Sequence, residues 1–173
     1  TMLGASGDAT AGIAFGGTQD PPKSAATELW NGTNWTEVND LNTARDDLAG
    51  SGKGTTTAAL AFGGLTPPGA YQAVTELWNG TNWTEQNDLS TARNVLSGAG
   101  TSTAGLAFGG ETPPVSAATE EWTGAGAAVG AWSTGGTMNT ARDQVFGGAG
   151  TQTAALLAGG SPPPAGATVT ESY

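Results

Sequence analysis

"TELWNGTNWTE" runs from Thr27 to Glu37 and returns letter for letter from Thr75 to Glu85. Its reading decides the fold. An Asn-Gly pair between two short runs that each carry a tryptophan signals two strands joined by a tight hairpin. The expectation is a type I′ turn at Asn31-Gly32 and again at Asn79-Gly80. Trp30 and Trp35 then flank one hairpin, Trp78 and Trp83 the other. A catalytic site is built once, whereas a unit that stacks on copies of itself is written many times. The agreement reaches beyond the hairpin. Between residues 27–45 and 75–93, 17 of 19 letters match, and only Val38/Gln86 and Asn42/Ser90 differ.

Outward from the hairpin, three landmarks recur in fixed order. A Gly pair closes a short apolar run at "IAFGG" (13–17), "LAFGG" (60–64), "LAFGG" (106–110) and "LLAGG" (156–160). Thr-Glu-x-aromatic follows at "TELW" (27–30), "TELW" (75–78), "TEEW" (119–122) and "TESY" (170–173). "TAR" then appears at 43–45, 91–93 and 140–142. Like landmarks lie 44 to 51 residues apart, a period that points to a propeller or a solenoid.

Each unit reads as four strands: a Gly- and Ala-rich strand near 48–52, then "TAALAF" (57–62), "ATELW" (26–30) and "NWTEV" (34–38). In the second of these, alternation puts Ala58, Leu60 and Phe62 on one face and Ala59 and Ala61 on the other. The small face permits a neighbouring sheet to come close. In the third unit "TGAGAAVGA" separates Trp122 from Trp132, so the turn there becomes a loop. Pro-containing stretches (18–25, 65–73, 111–117 and 161–167) follow the Gly pairs and read as exposed loops on one side of the molecule.

The composition sets limits on this picture. Leu, Ile, Val and Phe make up 24 of 173 residues, and the net charge is −10. That combination lies in the range of disordered chains. Six regularly placed tryptophans and 29 glycines argue instead for a folded all-β protein of small residues. With five cations the chain has no basic stripe, so nucleic acid is not an expected partner. No apolar run approaches 18 residues, and no membrane insertion is expected. Thr1 is not an initiator Met, so the chain reads as a processed product or a piece of a longer polypeptide.

The order Gly-Gly, Glu-x-aromatic, Trp, Arg resembles the kelch repeat over nearly the whole chain. The resemblance implies a β-propeller of four-stranded antiparallel blades. Here it spans about 3.75 repeats, with approximate blades 1–45, 46–93, 94–142 and an incomplete 143–173, as one domain of a larger propeller. Gly16 and Gly17, Gly63 and Gly64, Gly109 and Gly110, and Gly159 and Gly160 match the kelch diglycine. Trp30, Trp78, Trp122 and Tyr173 match its first aromatic. Trp35, Trp83 and Trp132 match its Trp, and Arg45, Arg93 and Arg142 its Arg. Two departures are the short spacing between aromatics, where Asn-Gly intervenes, and Ala158 in place of the Phe of the other copies.

Little in the chain carries chemistry. It has no His and no Cys, which removes His-based triads, thiolate ligands and disulfides. Glu28 and Glu37 face each other across the hairpin, yet Glu76 and Glu85 repeat the arrangement, and repetition favours a structural role. The arginines are read as bonding carbonyls or a repeated Glu, and the sialidase S-x-D-x-G-x-T-W box is absent. No catalytic residue, cofactor or metal ligand is expected, nor an enzyme.

Thr/Asn/Gly-rich arrays of this style resemble fibre and surface proteins of marine bacteriophages and bacteria. The resemblance implies a non-enzymatic adhesion module in a virion appendage or outside the cell. Its partners would be a host receptor, a glycan included, or neighbouring virion subunits, with a homo-oligomer allowed. The alternatives are a kelch-type protein-binding scaffold and the non-catalytic part of a secreted carbohydrate-active propeller enzyme. Recognition is expected in the variable loops, at Lys23, Pro67, Pro68, Tyr71, Pro113, Pro114, Pro162, Pro163 and Pro164.

Overall fold

The computed structural model describes residues 3–18, 23–124, 129–145, 147–161 and 170–173. No helix occurs among them. The strands form four antiparallel sheets in sequence order, each one blade. Blade 1 holds β1 (Gly4–Gly7), β2 (Gly12–Phe15), β3 (Thr27–Trp30) and β4 (Trp35–Val38). Blade 2 holds β5 (Ala49–Gly50) and β6 (Ala59–Phe62), followed by a side ribbon of β7 (Leu65–Thr66) and β8 (Ala70–Tyr71). β9 (Thr75–Trp78) and β10 (Trp83–Glu85) complete that blade. Blade 3 is β11 (Ser97–Gly100), β12 (Ala104–Phe108), β13 (Thr119–Thr123) and β14 (Ala131–Thr134). Blade 4 has β15 (Gly147–Thr151), β16 (Ala154–Ala158) and β17 (Thr170–Ser172).

The first strands meet in series, β1 with β5, β5 with β11 and β11 with β15. Glycine makes this approach feasible. A Cβ on Gly98 would lie 2.2 Å from the Gly50 carbonyl oxygen, and one on Gly148 2.7 Å from that of Gly98. A side chain at either place would force the blades apart.

The second strands join one blade to the next. In β6, Leu60 and Phe62 enter a core with Leu96, Ala107 and Trp122 of blade 3. Ala59 and Ala61 on the opposite face pack against Ile13 and Phe15 of blade 1. The alternation read in the sequence therefore serves two different cores. A third core, with Leu106 and Phe108 against Ala155 and Leu157, joins blades 3 and 4.

The hairpins depart from the expected geometry. Trp30 pairs with Trp35 and Trp78 with Trp83, so the loop between them has four residues and not two. Gly32 has φ 91° and Gly80 has φ 94°, while neither Asn has a positive φ. Instead the Asn31 Oδ1 accepts the Thr33 and Asn34 amides at 3.0 and 2.9 Å. Asn79 does the same for Thr81 and Asn82. The Asn side chain acts as a local cap on the turn, a role that competes with the type I′ conformation.

Tryptophan burial differs from one copy of the repeat to the next. Trp78, Trp83 and Trp122 are buried, but Trp30 and Trp132 are only partly so. Trp35 is 51% exposed. The difference lies in what stands beside each ring: Trp83 packs on Phe15 of blade 1, whereas among the described residues Trp35 meets the ring of Trp30 in its own hairpin. At the other end Leu156 is 51% exposed, while its counterparts Ile13, Leu60 and Leu106 are at 1% or less.

Candidate functional site

The repeated arginines come from the segments that leave each blade, and each is buried. Arg93 donates to the carbonyls of Gly109 at 3.2 Å and Ala118 at 3.0 Å, and to Glu120 Oε1 at 2.9 Å. Its own carbonyl accepts the Gly64 amide at 2.9 Å. One residue thus ties the diglycine of its own blade to that of the next. Arg45 repeats this with Gly63, Val74 and Glu76, and Arg142 with Gly159 and Glu171. Burial lowers the Arg45 guanidinium to about 10, although the Glu76 charge opposes the shift. Burial lowers Arg93 too, against Glu120.

The diglycines fit this tie for a backbone reason. Both members have positive φ in every copy, for example 68° and 103° at Gly63 and Gly64. A Cβ on Gly63 would stand 2.8 Å from the Arg93 carbonyl oxygen. Hence Gly16, Gly17, Gly109, Gly110, Gly159 and Gly160 belong to the inter-blade joints. The arginine's partner is the Glu of the next blade's Thr-Glu, Glu76, Glu120 or Glu171, the repeated Glu that the sequence reading gave it beside the carbonyls. Its signal was the letter repeated beside every third-strand aromatic.

The tryptophans form a second joint. The Trp83 ring meets Phe15 edge-on at 4.9 Å, and Trp132 meets Phe62 at 5.0 Å. Trp83 Nε1 donates to Thr27 Oγ1 at 3.0 Å, and Trp132 Nε1 to Thr75 Oγ1 at 2.9 Å. These Phe and Thr partners are not among the site residues the sequence reading named, though both recur in every complete unit.

The Pro-containing loops adjoin one another. Asp46, which bridges to Leu65, also holds Lys23 of the first loop, and Tyr71 of the second loop hydrogen-bonds Glu111 of the third. Pro67, Pro68, Pro113 and Pro114 are exposed, and each pair holds a cis peptide bond. Tyr71 is half-buried, and its hydroxyl is raised by desolvation and by the adjacent Glu111 carboxylate. Lys23 is not a free cation of the rim. Its ammonium pairs with Asp46, which also accepts Thr18 Oγ1 at 2.6 Å. Pro162, Pro163 and Pro164 lie outside the described residues.

A cavity of about 790 Å³ opens along the first strands, lined by Ser6, Gly50, Ser97 and Gly148 and flanked by Trp30 and Trp35. Asp8 is the charged residue of its lining. Bonds from the Thr10 hydroxyl and the Thr10 and Ala11 amides hold that carboxyl below its ordinary value. Among the described residues no group of three or more His, Cys, Asp or Glu is placed to hold a metal ion.

Four radially arranged antiparallel blades with their first strands innermost decide the architecture. The fold is a β-propeller. A solved structure titled "Structure of YjhT" is similar to this propeller, with a TM-score of 0.70 at 12% identity. The match covers 89% of this chain and 50% of that one, so the chain spans about half its neighbour's length. At that identity the likeness concerns the fold alone. No protein-family model matches the sequence, and no curated protein does.

Proposed function

We propose that this chain is a non-enzymatic binding and adhesion module, with blades as scaffold and Pro-containing loops as the contacting surface. One observation carries the reading. The repeated arginines, with Trp83 and Trp132, are engaged in holding blades together, whereas beyond their shared Pro pair the exposed loops differ from blade to blade in sequence and length. Arg45, Arg93 and Arg142 are buried on carbonyls and carboxylates, which leaves them no access to a substrate. Pro67, Pro68, Pro113 and Pro114, by contrast, are exposed and adjoin Tyr71 and Glu111. Loops on a rigid scaffold tolerate change and concentrate recognition. A rigid aromatic such as Tyr71 loses little entropy on contact.

In the finer form of the proposal, the module belongs to a virion appendage or extracellular surface and contacts a host receptor or neighbouring subunits. The Thr/Asn/Gly-rich repeat style and a net charge of −10 support it, since screening in salt water tolerates that charge. Antibody raised against the chain tests the setting: decoration of particle appendages in electron micrographs is expected. Labelling confined to cell interiors would favour the protein-binding scaffold. For the loops, labelled chain should attach saturably to host cells, and a variant with residues 66–70 replaced by Gly-Ser should lose attachment while staying folded. Unchanged attachment and assembly would move the contact surface to the side of the Asn31 and Asn79 hairpins.

A further inference from the structure

Each repeated arginine is followed by a polar residue that the backbone holds in one frame. The amides of Arg45, Arg93 and Arg142 donate to the carbonyls of Ser24, Gln72 and Ser116 in the Pro-containing loops, at 3.1, 3.0 and 3.2 Å. The next residues, Asp46, Asn94 and Asp143, bridge antiparallel to Leu65, Glu111 and Ser161. The loops repeat as well, since Lys23 pairs with Thr18, Tyr71 with Leu65 and Val115 with Glu111. Three equivalent slots therefore lie along the rim, each between one such loop pair and the residue after an arginine.

The first slot is filled from within the chain. Asp46 accepts the Thr18 hydroxyl on one oxygen and the Lys23 ammonium on the other. In the second and third slots Tyr71 and Val115 stand in the place of Lys23, and acceptors stay open. Asn94 is 5% exposed, and its Oδ1 is buried without a hydrogen-bond partner among the described residues. The Asp143 Oδ1 is buried and unpartnered in the same way. Glu111 joins the two slots. Its backbone pairs with Asn94, its carboxylate takes the Tyr71 hydroxyl, and in the third slot it replaces Thr18 beside Asp143. Acceptors buried unpaired are costly, a carboxylate most of all. A group with several N–H donors, no acceptor and a positive charge satisfies such a set, and an ammonium is that group.

The chain's own cations are placed elsewhere. Arg45, Arg93 and Arg142 are buried in the joints, and Lys23 is committed to Asp46. Lys53 stands in the turn between β5 and β6, at the end of β6 away from its diglycine. We propose that the slots on either side of Glu111, with Asn94 in one and Asp143 in the other, bind lysine ammonium groups of the partner, as the first slot binds Lys23. The net charge of −10 favours a basic partner surface. This inference rests on the reading of the Pro-containing loops as the contacting surface and names the chemistry they contact.

The test is a titration of the isotope-labelled full chain with n-butylammonium chloride at fixed ionic strength, read by NMR at the Asn94 side-chain amide and the Glu111 and Asp143 backbone amides. Saturable shifts at all three are expected. Tetramethylammonium, which has the charge but no N–H, should bind at least about tenfold more weakly, the scale of a charge-assisted hydrogen bond. Val115→Lys, checked for folding by circular dichroism, supplies the ammonium from within and should abolish the response at Asp143. Asp143→Asn should weaken that response about tenfold. Absence of saturable shifts, equal binding of the two ammonium ions, or an unchanged response in Val115→Lys overturns the proposal. So does saturation by calcium chloride at a lower concentration than n-butylammonium, which would make this an inorganic cation site. Attachment to host cells separates the two readings. Loss in the 66–70 Gly-Ser variant without loss in Val115→Lys overturns the lysine contact and leaves the adhesion reading standing. Unchanged attachment in the Gly-Ser variant sinks the adhesion reading, and the titration still decides the slots.

Discussion

Trp83 of blade 2 donates its indole N–H to Thr27 Oγ1 of blade 1 at 3.0 Å, between residues 56 positions apart in sequence. The same residue meets Phe15 edge-on and is 5% exposed. Trp35, in an identical eleven-letter stretch, has neither partner and is 51% exposed. Truncating the two should therefore separate them. Trp83→Ala is expected to cost about 3–5 kcal/mol, as for a buried aromatic, and Trp35→Ala roughly 1 kcal/mol or less, as for a surface position. Urea unfolding of both variants checks this, and equal losses would refute the role assigned to the preceding blade.

The Arg93–Glu120 pair is buried on both sides. Removing one member leaves an uncompensated charge in the joint, so Arg93→Met should destabilise by about 3–5 kcal/mol. The double variant Arg93→Met with Glu120→Gln should recover part of that loss, since the orphaned carboxylate is gone. A double-mutant cycle in urea measures the coupling. Additive single losses would mean the pair acts only through packing.

Asp46 supplies a pH signature. Burial pushes its carboxyl up, but bonds from Lys23 and Thr18 outweigh this and hold it below its ordinary value of 3.8. A depressed carboxylate contributes stability that is present above the unfolded value and lost as pH falls through the folded one. Thermal melts of the native chain and Asp46→Asn should thus differ by a constant amount above about pH 5 and converge below pH 3.8. A gap that persists at the acid end would show that the Lys23 pair is not its source.

Val95 has φ 44°, at the position where Asp47 and Gln144 are also left-handed. A β-branched residue is strained there, whereas Asn tolerates the conformation. Val95→Asn should stabilise the chain by about 1 kcal/mol, the order of the left-handed penalty relieved. Its amide bond to the Asp47 carbonyl, at 2.9 Å, uses backbone alone and survives the change. A lower melting temperature would mean that the isopropyl group packs more than its strain costs.

What the sequence determined by itself is local or periodic. The hairpins, the four-strand unit and the stacking of units were legible because turn chemistry acts within a few residues and a long period can be counted. The diglycines declared themselves too, since a Gly pair that recurs at one place in every unit marks a backbone that side chains would obstruct. Tertiary structure decided everything that depends on a neighbouring blade. Identical letters bury Trp83 and expose Trp35, because burial belongs to the space beside a residue and not to the residue. Lys23 reads as a free loop cation until folding brings Asp46 from the blade's exit segment to its ammonium. Tyr173 reads as one more third-strand aromatic until folding brings its hydroxyl to Gly136 and Glu121 of blade 3. A side chain's partner across a joint is set by the packing of whole sheets, and no window of sequence contains both halves of that contact.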